Sequence, residues 1–351
     1  MDLPLVSIVV INHNYEAFLA TAIDSALAQS HGNIEVIVVD DGSADGSGAI
    51  IAGYGGRIRA VMQVNGGHSS AVNAGFAQAS GAYVLFLDAD DLLLESCMAR
   101  ALAAIRPGDA KLQFRLATID AEGRDQNMAF PWFAPDFSPE EVDHQSRTSG
   151  WYPWTGSTGN LYARWYLEQL LPLDMARIYR SPDGYLNKLA PLFGPVRSLS
   201  EVLGAYRVHG RNAWASSAKS WTAEVVVNWL RFHAVLEAAF VECAAARGVG
   251  LAQPLIQPFQ TLEYRMLAQR FATGERERMP GRLDLLGEGW RWLVALHPDG
   301  WLGSLGRWLW LIFLGFGPAW LVRREVCRAR TQLGRSPFWR GALFLTRRRR
   351  L

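Results

Sequence analysis

The chain has 351 residues, half of them hydrophobic, a formal net charge of +2 and three cysteines, Cys97, Cys243 and Cys327. That length accommodates roughly two domains; the scattered cysteines, without a Cys-x-x-Cys pair, exclude a disulfide framework and a structural zinc site and fit a reducing compartment. The near-neutral total hides an asymmetry: from Arg323 to Leu351 ten Arg stand against one Glu, which leaves the other 322 residues at −7. An acidic body with a basic tail implies two different surroundings.

From the N-terminus, Met1-Asp2-Leu3-Pro4 lacks the basic start of a signal peptide, so the body is expected in the cytoplasm. Apolar, β-branched runs at Val6–Ile11, Ile34–Val39, Ile58–Gln63 and Tyr83–Leu87 predict strands buried on both faces, with Leu112–Thr118 as a possible fifth. Helices are predicted between them, at Ala17–Ala28, Gly46–Tyr54, Ser70–Ala79 and Ser96–Ala104. Strand–helix alternation predicts an α/β fold with a doubly wound, mostly parallel sheet. In such sheets ligands bind beyond the carboxyl ends of the strands. Residues 121–160 read as loop, Tyr162–Leu171 as helical, and Ala218–Arg247 and Leu255–Ala272 as long helices.

Two of the predicted strands run into acids. The second continues as Asp40-Asp41-Gly42-Ser43 and the fourth as Asp88-Ala89-Asp90-Asp91. Carboxylates two residues apart on a rigid strand end suit Mg²⁺ or Mn²⁺, hard cations that take oxygen ligands and keep positions for substrate phosphates. Such acids also serve as ordinary helix caps, and for Asp41 and Asp91 the two readings weigh equally. Between the clusters, Asn65-Gly66-Gly67-His68-Ser69-Ser70-Ala71-Val72-Asn73-Ala74-Gly75 offers glycines and a helix start, where backbone N–H groups favour anions.

The ordered set resembles the inverting family 2 glycosyltransferases of GT-A fold. It comprises Val6-Ser7-Ile8-Val9-Val10-Ile11-Asn12-His13-Asn14-Tyr15, then Asp40 through Ser47, then Asn65-Gly66-Gly67 to Asn73-Ala74-Gly75, then Asp88-Ala89-Asp90-Asp91. Resemblance is strong over residues 4–105 and looser over 150–215. It implies transfer of a sugar from a nucleotide-sugar donor, a UDP-sugar being expected, with a divalent cation. Asn12, Asn14, Asp40, Asp41, Gly42, Asn65, Gly67, Asn73, Asp88 and Ala89 would surround the donor. Asp90, with Asp88, would hold the metal. Ile11-Asn12-His13 departs from the Pro-Thr-Tyr of many members, so the base that is read stays open.

The resemblance also requires an acid near a helix start about a hundred residues downstream. Asp183, in Ser181-Pro182-Asp183-Gly184, is the expected catalytic base and Asp174 the runner-up; a helix-start Asp favoured by the macrodipole is the plainer alternative. Ala205-Tyr206-Arg207-Val208-His209 resembles the segment that closes this catalytic domain, and His209 is a candidate third metal ligand. Trp154, Thr155 and Gly156 sit where an acceptor loop is expected.

The C-terminal part departs from this pattern. Its uninterrupted apolar stretch, Trp308–Val322, is shorter than the roughly 20 residues of a membrane span and contains Gly315, Gly317 and Pro318. With Trp at both ends and Arg323 and Arg324 following, an interfacial or re-entrant segment is favoured over a span, and a buried helical hairpin is the plain alternative. The expected division is a catalytic domain over 1–215, a helical extension over 216–285 and membrane-associating helices with a basic tail over 286–351. The expected location is the cytoplasmic face of the cell membrane, peripheral or monotopic. The expected partners are a glycan or lipid-linked acceptor and an anionic membrane surface, with no nucleic acid. A sugar nucleotidyltransferase and a non-catalytic nucleotide-sugar-binding subunit are the rival readings. No G-x-G-x-x-G follows the first strand, and no Walker A, H-E-x-x-H or G-x-S-x-G sequence occurs.

Overall fold

The computed structural model describes residues 3–131, 137–179, 181–209, 212, 222–272, 274, 279–296 and 300–331. They fall in two compact units: Met1–Ser146 with Tyr152–Val208, and Arg147–Trp151 with His209–Leu351.

The first unit is a mixed α/β layer structure. Its opening half follows the predicted alternation: β1 (Val6–Asn12), α1 (Glu16–Leu27), β2 (Ile34–Asp41), α2 (Ser47–Tyr54), β3 (Arg59–Gln63), α3 (His68–Gln78) and β4 (Tyr83–Asp88). β1 is buried along its whole length, as a continuous apolar run requires when helices cover both faces of a sheet. β3, β2, β1 and β4 are parallel neighbours, and the register sets Asn12 beside Asp40 and Ile11 beside Asp88. The polar strand ends therefore share one rim. α3 presses close to the sheet because residue 75 is glycine; a Cβ there would lie 2.3 Å from the Val9 side chain.

Beyond β4 the sheet turns mixed. β5 (Leu92–Leu93), α4 (Cys97–Ala104), β6 (Lys111–Ile119), β7 (Asp125–Phe130), α5 (Pro139–Ser149), β8 (Asn160–Ala163), α6 (Arg164–Leu167), α7 (Pro182–Leu189) and β9 (Val196–Arg207) follow in the chain. The strand order is β3-β2-β1-β4-β8-β6-β9-β5, with β7 on β6. The predicted fifth strand, β6, is thus real but is not β4's neighbour. Four-residue β8 separates them, antiparallel to both. The helix expected over Tyr162–Leu171 is corrected to β8 and a one-turn helix, and the loop expected over 121–160 contains β7 and α5.

The second unit contains α8 (Ala223–Ala246), α9 (Phe259–Phe271), α10 (Arg282–Leu296), α11 (Gly300–Phe316) and α12 (Ala319–Thr331). Gly317 and Pro318 break the apolar stretch into two helices, since proline cannot continue a helix interior. Trp310, Leu311 and Leu314 of α11 and Val322 and Val326 of α12 are buried with Leu262, Met266 and Trp292 in one apolar core. Five of the 15 residues of the stretch, Trp310, Leu311, Leu314, Gly315 and Val322, are thus buried, as the plain alternative above expects of a helical core. Among the described residues no helix is long and apolar enough to cross a membrane. The tail from Gln332 onward, including Arg347–Arg350, lies outside the described residues.

Candidate active site

The site is built on the rim formed by β1, β2 and β4. Asp40, 3% exposed, accepts from Asn12 Nδ2 at 2.7 Å, Ser43 Oγ at 2.6 Å and Ser43 N at 3.1 Å. Asp41 faces the glycine loop, where Oδ1 accepts from Gln63 Nε2 at 2.6 Å and Gly66 N at 2.8 Å, and Oδ2 from Gly67 N at 2.8 Å. Gly42 joins the two with φ +71°, and a Cβ there would lie 2.6 Å from Asn65 N, so only glycine permits the turn.

The first loop closes over this rim. Asn14, at φ 58°, accepts from Ala44 N at 2.7 Å, while its own N–H donates to Ser43 Oγ at 2.8 Å. His13 Nδ1 lies 2.8 Å from the Asp41 carbonyl, which fixes Nδ1 as the protonated nitrogen. Nε2 then accepts from Asn14 Nδ2 at 2.9 Å and Asn65 Nδ2 at 3.1 Å. Asn12, Asn14, Asp40, Asp41, Gly42, Asn65 and Gly67 thus form one hydrogen-bonded rim. Asn73 lies further along α3, where its amide clamps Leu173, accepting from its N–H at 2.7 Å and donating to its carbonyl at 3.1 Å.

The β4 acids are held from behind. Asp88 N donates to Thr158 Oγ1 at 3.3 Å, and Thr158 Oγ1 donates to Asp91 Oδ2 at 2.7 Å. Asp91 Oδ1 accepts from Arg207 N at 2.9 Å, and Arg207 Nε donates to the Asp90 carbonyl at 2.9 Å. Buried Ala89, whose N–H donates to Ile11 O at 3.0 Å, lets the turn pack against β1. Asp91 is therefore an internal tie, whereas the Asp88 side chain is 29% exposed at the rim. Burial, then the charges of Asp91, Asp90 and Asp183, push Asp88 well above the usual carboxylate range, relieved in part by the Ser157 hydroxyl. Burial and Asp90 raise Asp91 as well.

Such crowded carboxylates fit a divalent cation. However, among the described residues no group of three or more His, Cys, Asp or Glu converges as a metal site. His209, the third residue of the expected trio, has its backbone N–H donating to Asn212 Oδ1 at 2.5 Å. Asp88 and Asp90 remain as the two carboxylates that could hold Mg²⁺ or Mn²⁺, which binds well through one or two carboxylates and substrate phosphates.

Asp183 stands at the first turn of α7, after Ser181 in a left-handed conformation and Pro182 at the helix start. Its Oδ1 accepts from Ser181 Oγ at 2.8 Å. It lines a small cleft with Val72, Phe86, Ser157, Tyr162, Pro182 and Leu186, which places it with α3, β4 and the turn behind Asp88. Asp174, the runner-up, is exposed and accepts from Ala176 N at 2.9 Å within its own turn. Of the expected acceptor residues, Trp154 packs edge-on against Tyr152 at 5.2 Å, Thr155 is buried, and Gly156 has open space where a Cβ would be.

The sequence reading passed over His68, Thr158 and Arg207. His68 Nε2 lies 3.6 Å from Asp88 Oδ1. Burial lowers its pKa against the opposing charges of Asp183, Asp90 and Asp41. Arg207, 5% exposed, also stacks over Phe18 at 4.8 Å. All three lay inside segments already singled out, but no spacing rule links a strand-end acid to a threonine 67 residues away.

Comparison with known proteins agrees with this geometry. The family model described as "Glycosyl transferase family 2" matches residues 7–152. An uncharacterized glycosyltransferase of Nostoc sp. (strain PCC 7120), alr2836, is 32% identical over 220 residues, 61% of this chain and 68% of that protein. Two solved structures share the fold. TarS 1–349 of S. aureus in complex with UDP-GlcNAc has a TM-score of 0.51 at 16% identity, covering 98% of this chain and 91% of that one. Mannosyltransferase PcManGT of Pyrobaculum calidifontis, in complex with GDP-Man and Mn²⁺, has a TM-score of 0.50 at 17% identity, covering 99% and 88%. With the match running through every strand-end motif of the rim, the chain belongs to glycosyltransferase family 2 and is a glycosyltransferase of GT-A fold.

Proposed function

We propose that the enzyme transfers a sugar from a nucleotide-sugar donor, a UDP-sugar in the first instance, to a hydroxyl of a glycan or lipid-linked acceptor with inversion. One observation carries this reading: Asp183 lines a cleft shared with β4, α3 and the Ser157 turn, and its charge is felt at Asp88. The Asp183 carboxylate is thus close enough to the metal-suited Asp88 for their charges to interact, an arrangement that suits a single displacement. The complexes of TarS with UDP-GlcNAc and of PcManGT with GDP-Man and Mn²⁺ support the donor class.

In this mechanism the rim of Asn12, Asn14, Asp40 and Asn65 holds the nucleotide. Asp88 and Asp90 would hold the divalent cation, which when bound neutralises charge on the departing nucleoside diphosphate. The Asp183 carboxylate takes the proton of the acceptor hydroxyl as that oxygen bonds to the anomeric carbon and the bond to the diphosphate breaks. His68, whose pKa is lowered by burial, stands 3.6 Å from Asp88.

The helical unit supports a role at an anionic membrane surface, on the cytoplasmic side. Leu283, Trp290 and Val294 of α10, Leu309 and Phe316 of α11 and Trp320 of α12 are exposed, and Arg323 and Arg324 beside Trp320 are exposed too. Exposed tryptophans flanked by arginines suit the headgroup zone. Such a location would bring the site to lipid-linked acceptors used in cell-surface polysaccharide or glycolipid synthesis.

The test is a donor screen. Protein with Mn²⁺ or Mg²⁺ is offered UDP-, GDP- and dTDP-sugars, with and without membrane lipid extract, and free nucleoside diphosphate is measured. The proposal expects release from one donor that depends on metal, on lipid and on Asp90; release of pyrophosphate instead would favour a nucleotidyltransferase.

A further inference from the structure

Lys111 opens β6 and is fully buried, a place where lysine is found only when its nitrogen has partners. Its Nζ donates to the side-chain carbonyl of Asn160 at 2.6 Å and to that of Asn187. The rings of Tyr152 and Tyr162 lie 5.7 and 5.8 Å from it, as in cation–π pairs.

The two amides are themselves committed. Asn160 Nδ2 donates to the Gly156 carbonyl at 2.6 Å, and Asn187 Nδ2 to the Thr155 carbonyl at 3.1 Å. Tyr162 donates to Asn187 Oδ1 at 3.0 Å and Tyr152 to the Asn187 carbonyl at 2.6 Å. Three segments remote in sequence therefore meet at one nitrogen: the start of β6, the Thr155–Asn160 turn, and α7. Asn187 lies four residues, about one helical turn, beyond Asp183, on the same face.

An apolar side chain of the same length would fill this space without the cost of burying an amine. Burial pushes the Lys111 pKa well down, and Asp183 pulls against it. A lysine here marks a need for directional N–H groups. We infer that Lys111 is a positioning residue whose buried Nζ braces α7, with Asp183 on it, and the Thr155–Asn160 turn against the sheet. Its catalytic consequence rests on the proposed role of Asp183 as base; the brace itself does not.

The experiment compares the full wild-type chain with Lys111→Met, which keeps the stem and removes the nitrogen. Hydrogen exchange is followed by peptide, UDP binding with Mn²⁺ by calorimetry, and turnover on the donor active in the screen. Exchange in α7 and in residues 155–160 should quicken by about tenfold or more, with β1 and β2 unchanged. UDP affinity should stay within about threefold while turnover falls by at least about tenfold, an effect on the chemical step and not on binding. Unchanged exchange in α7 would overturn the inference, because Lys111 would then serve packing alone. An equal rise through the whole sheet would overturn it too. If Lys111→Met does not fold, Asn187→Leu removes the same acceptor from the α7 side and should give the same local pattern; unchanged exchange there is equally fatal. Asp183→Asn separates the two readings. It should lose transfer with α7 exchange unaltered, and transfer retained in that variant would sink the base assignment while leaving the brace intact.

Discussion

Asp40 and Asp41 are chain neighbours with different tasks. Asp40 takes three bonds from Asn12 and Ser43 at the rim, whereas Asp41 takes three from Gln63, Gly66 and Gly67 in the glycine loop. Asp41→Ala should therefore act as a loop mutation. It orphans donors bonded to a charge, at about 1.5–3 kcal/mol for each such bond, and should lower the urea midpoint as well as UDP affinity. Asp40→Ala should weaken UDP binding and, since it also removes three bonds to a charge, lower stability by a comparable amount. Gly42→Ala forces a non-glycine residue to φ +71° against Asn65, a strain of roughly 1–2 kcal/mol before the clash is counted; its melting temperature should fall by several degrees.

At the scale of elements, what was legible followed run length. β1, β2 and β4 are long, apolar and buried on both faces, so their bounds and the acids ending them could be read from the chain. β8 could not: Asn160-Leu161-Tyr162-Ala163 is four residues long and passes straight into helix, so its periodicity is that of the helix start. β9 carries Ser198, Ser200 and Glu201, is half-buried over much of its length and pairs with β6 through register shifts, a pattern no alternation rule detects. These two strands bring Thr158 and Arg207 to the back of the β4 acids, and so half of the site's support was hidden. Thr158→Val is the corresponding test. It leaves Asp91 Oδ2 without its hydroxyl donor and Asp88 N without its acceptor, a cost of about 1–3 kcal/mol, and thermal unfolding should show it while the rim of Asn12 and Asp40 keeps its bonds.

At the scale of the whole molecule, charge decides the response to pH and metal. Burial and mutual repulsion raise Asp88 and Asp91 above the ordinary carboxylate value of 3.8. The folded chain then binds more protons than the unfolded one from that value up to the raised ones. This contribution to stability is greatest in acid and is lost as pH rises through the folded values. A cation at Asp88 and Asp90 relieves the same repulsion, so Mn²⁺ should raise the melting temperature more at pH 8 than at pH 5; an equal shift at both would argue against binding at these acids. If the proposed membrane role holds, the unit that carries the exposed tryptophans of α10 and α12 should bind anionic vesicles, and less so as salt rises.

The central claim is that Asp183 is the base for an acceptor hydroxyl that attacks a donor held at the rim of β1, β2 and β4. Asp183→Asn tests it most directly, with UDP binding by calorimetry and sugar transfer measured on the same preparation. The account predicts UDP affinity unchanged within about twofold and transfer reduced by about 10²–10⁴-fold. Transfer at the wild-type rate, with binding intact, would contradict it.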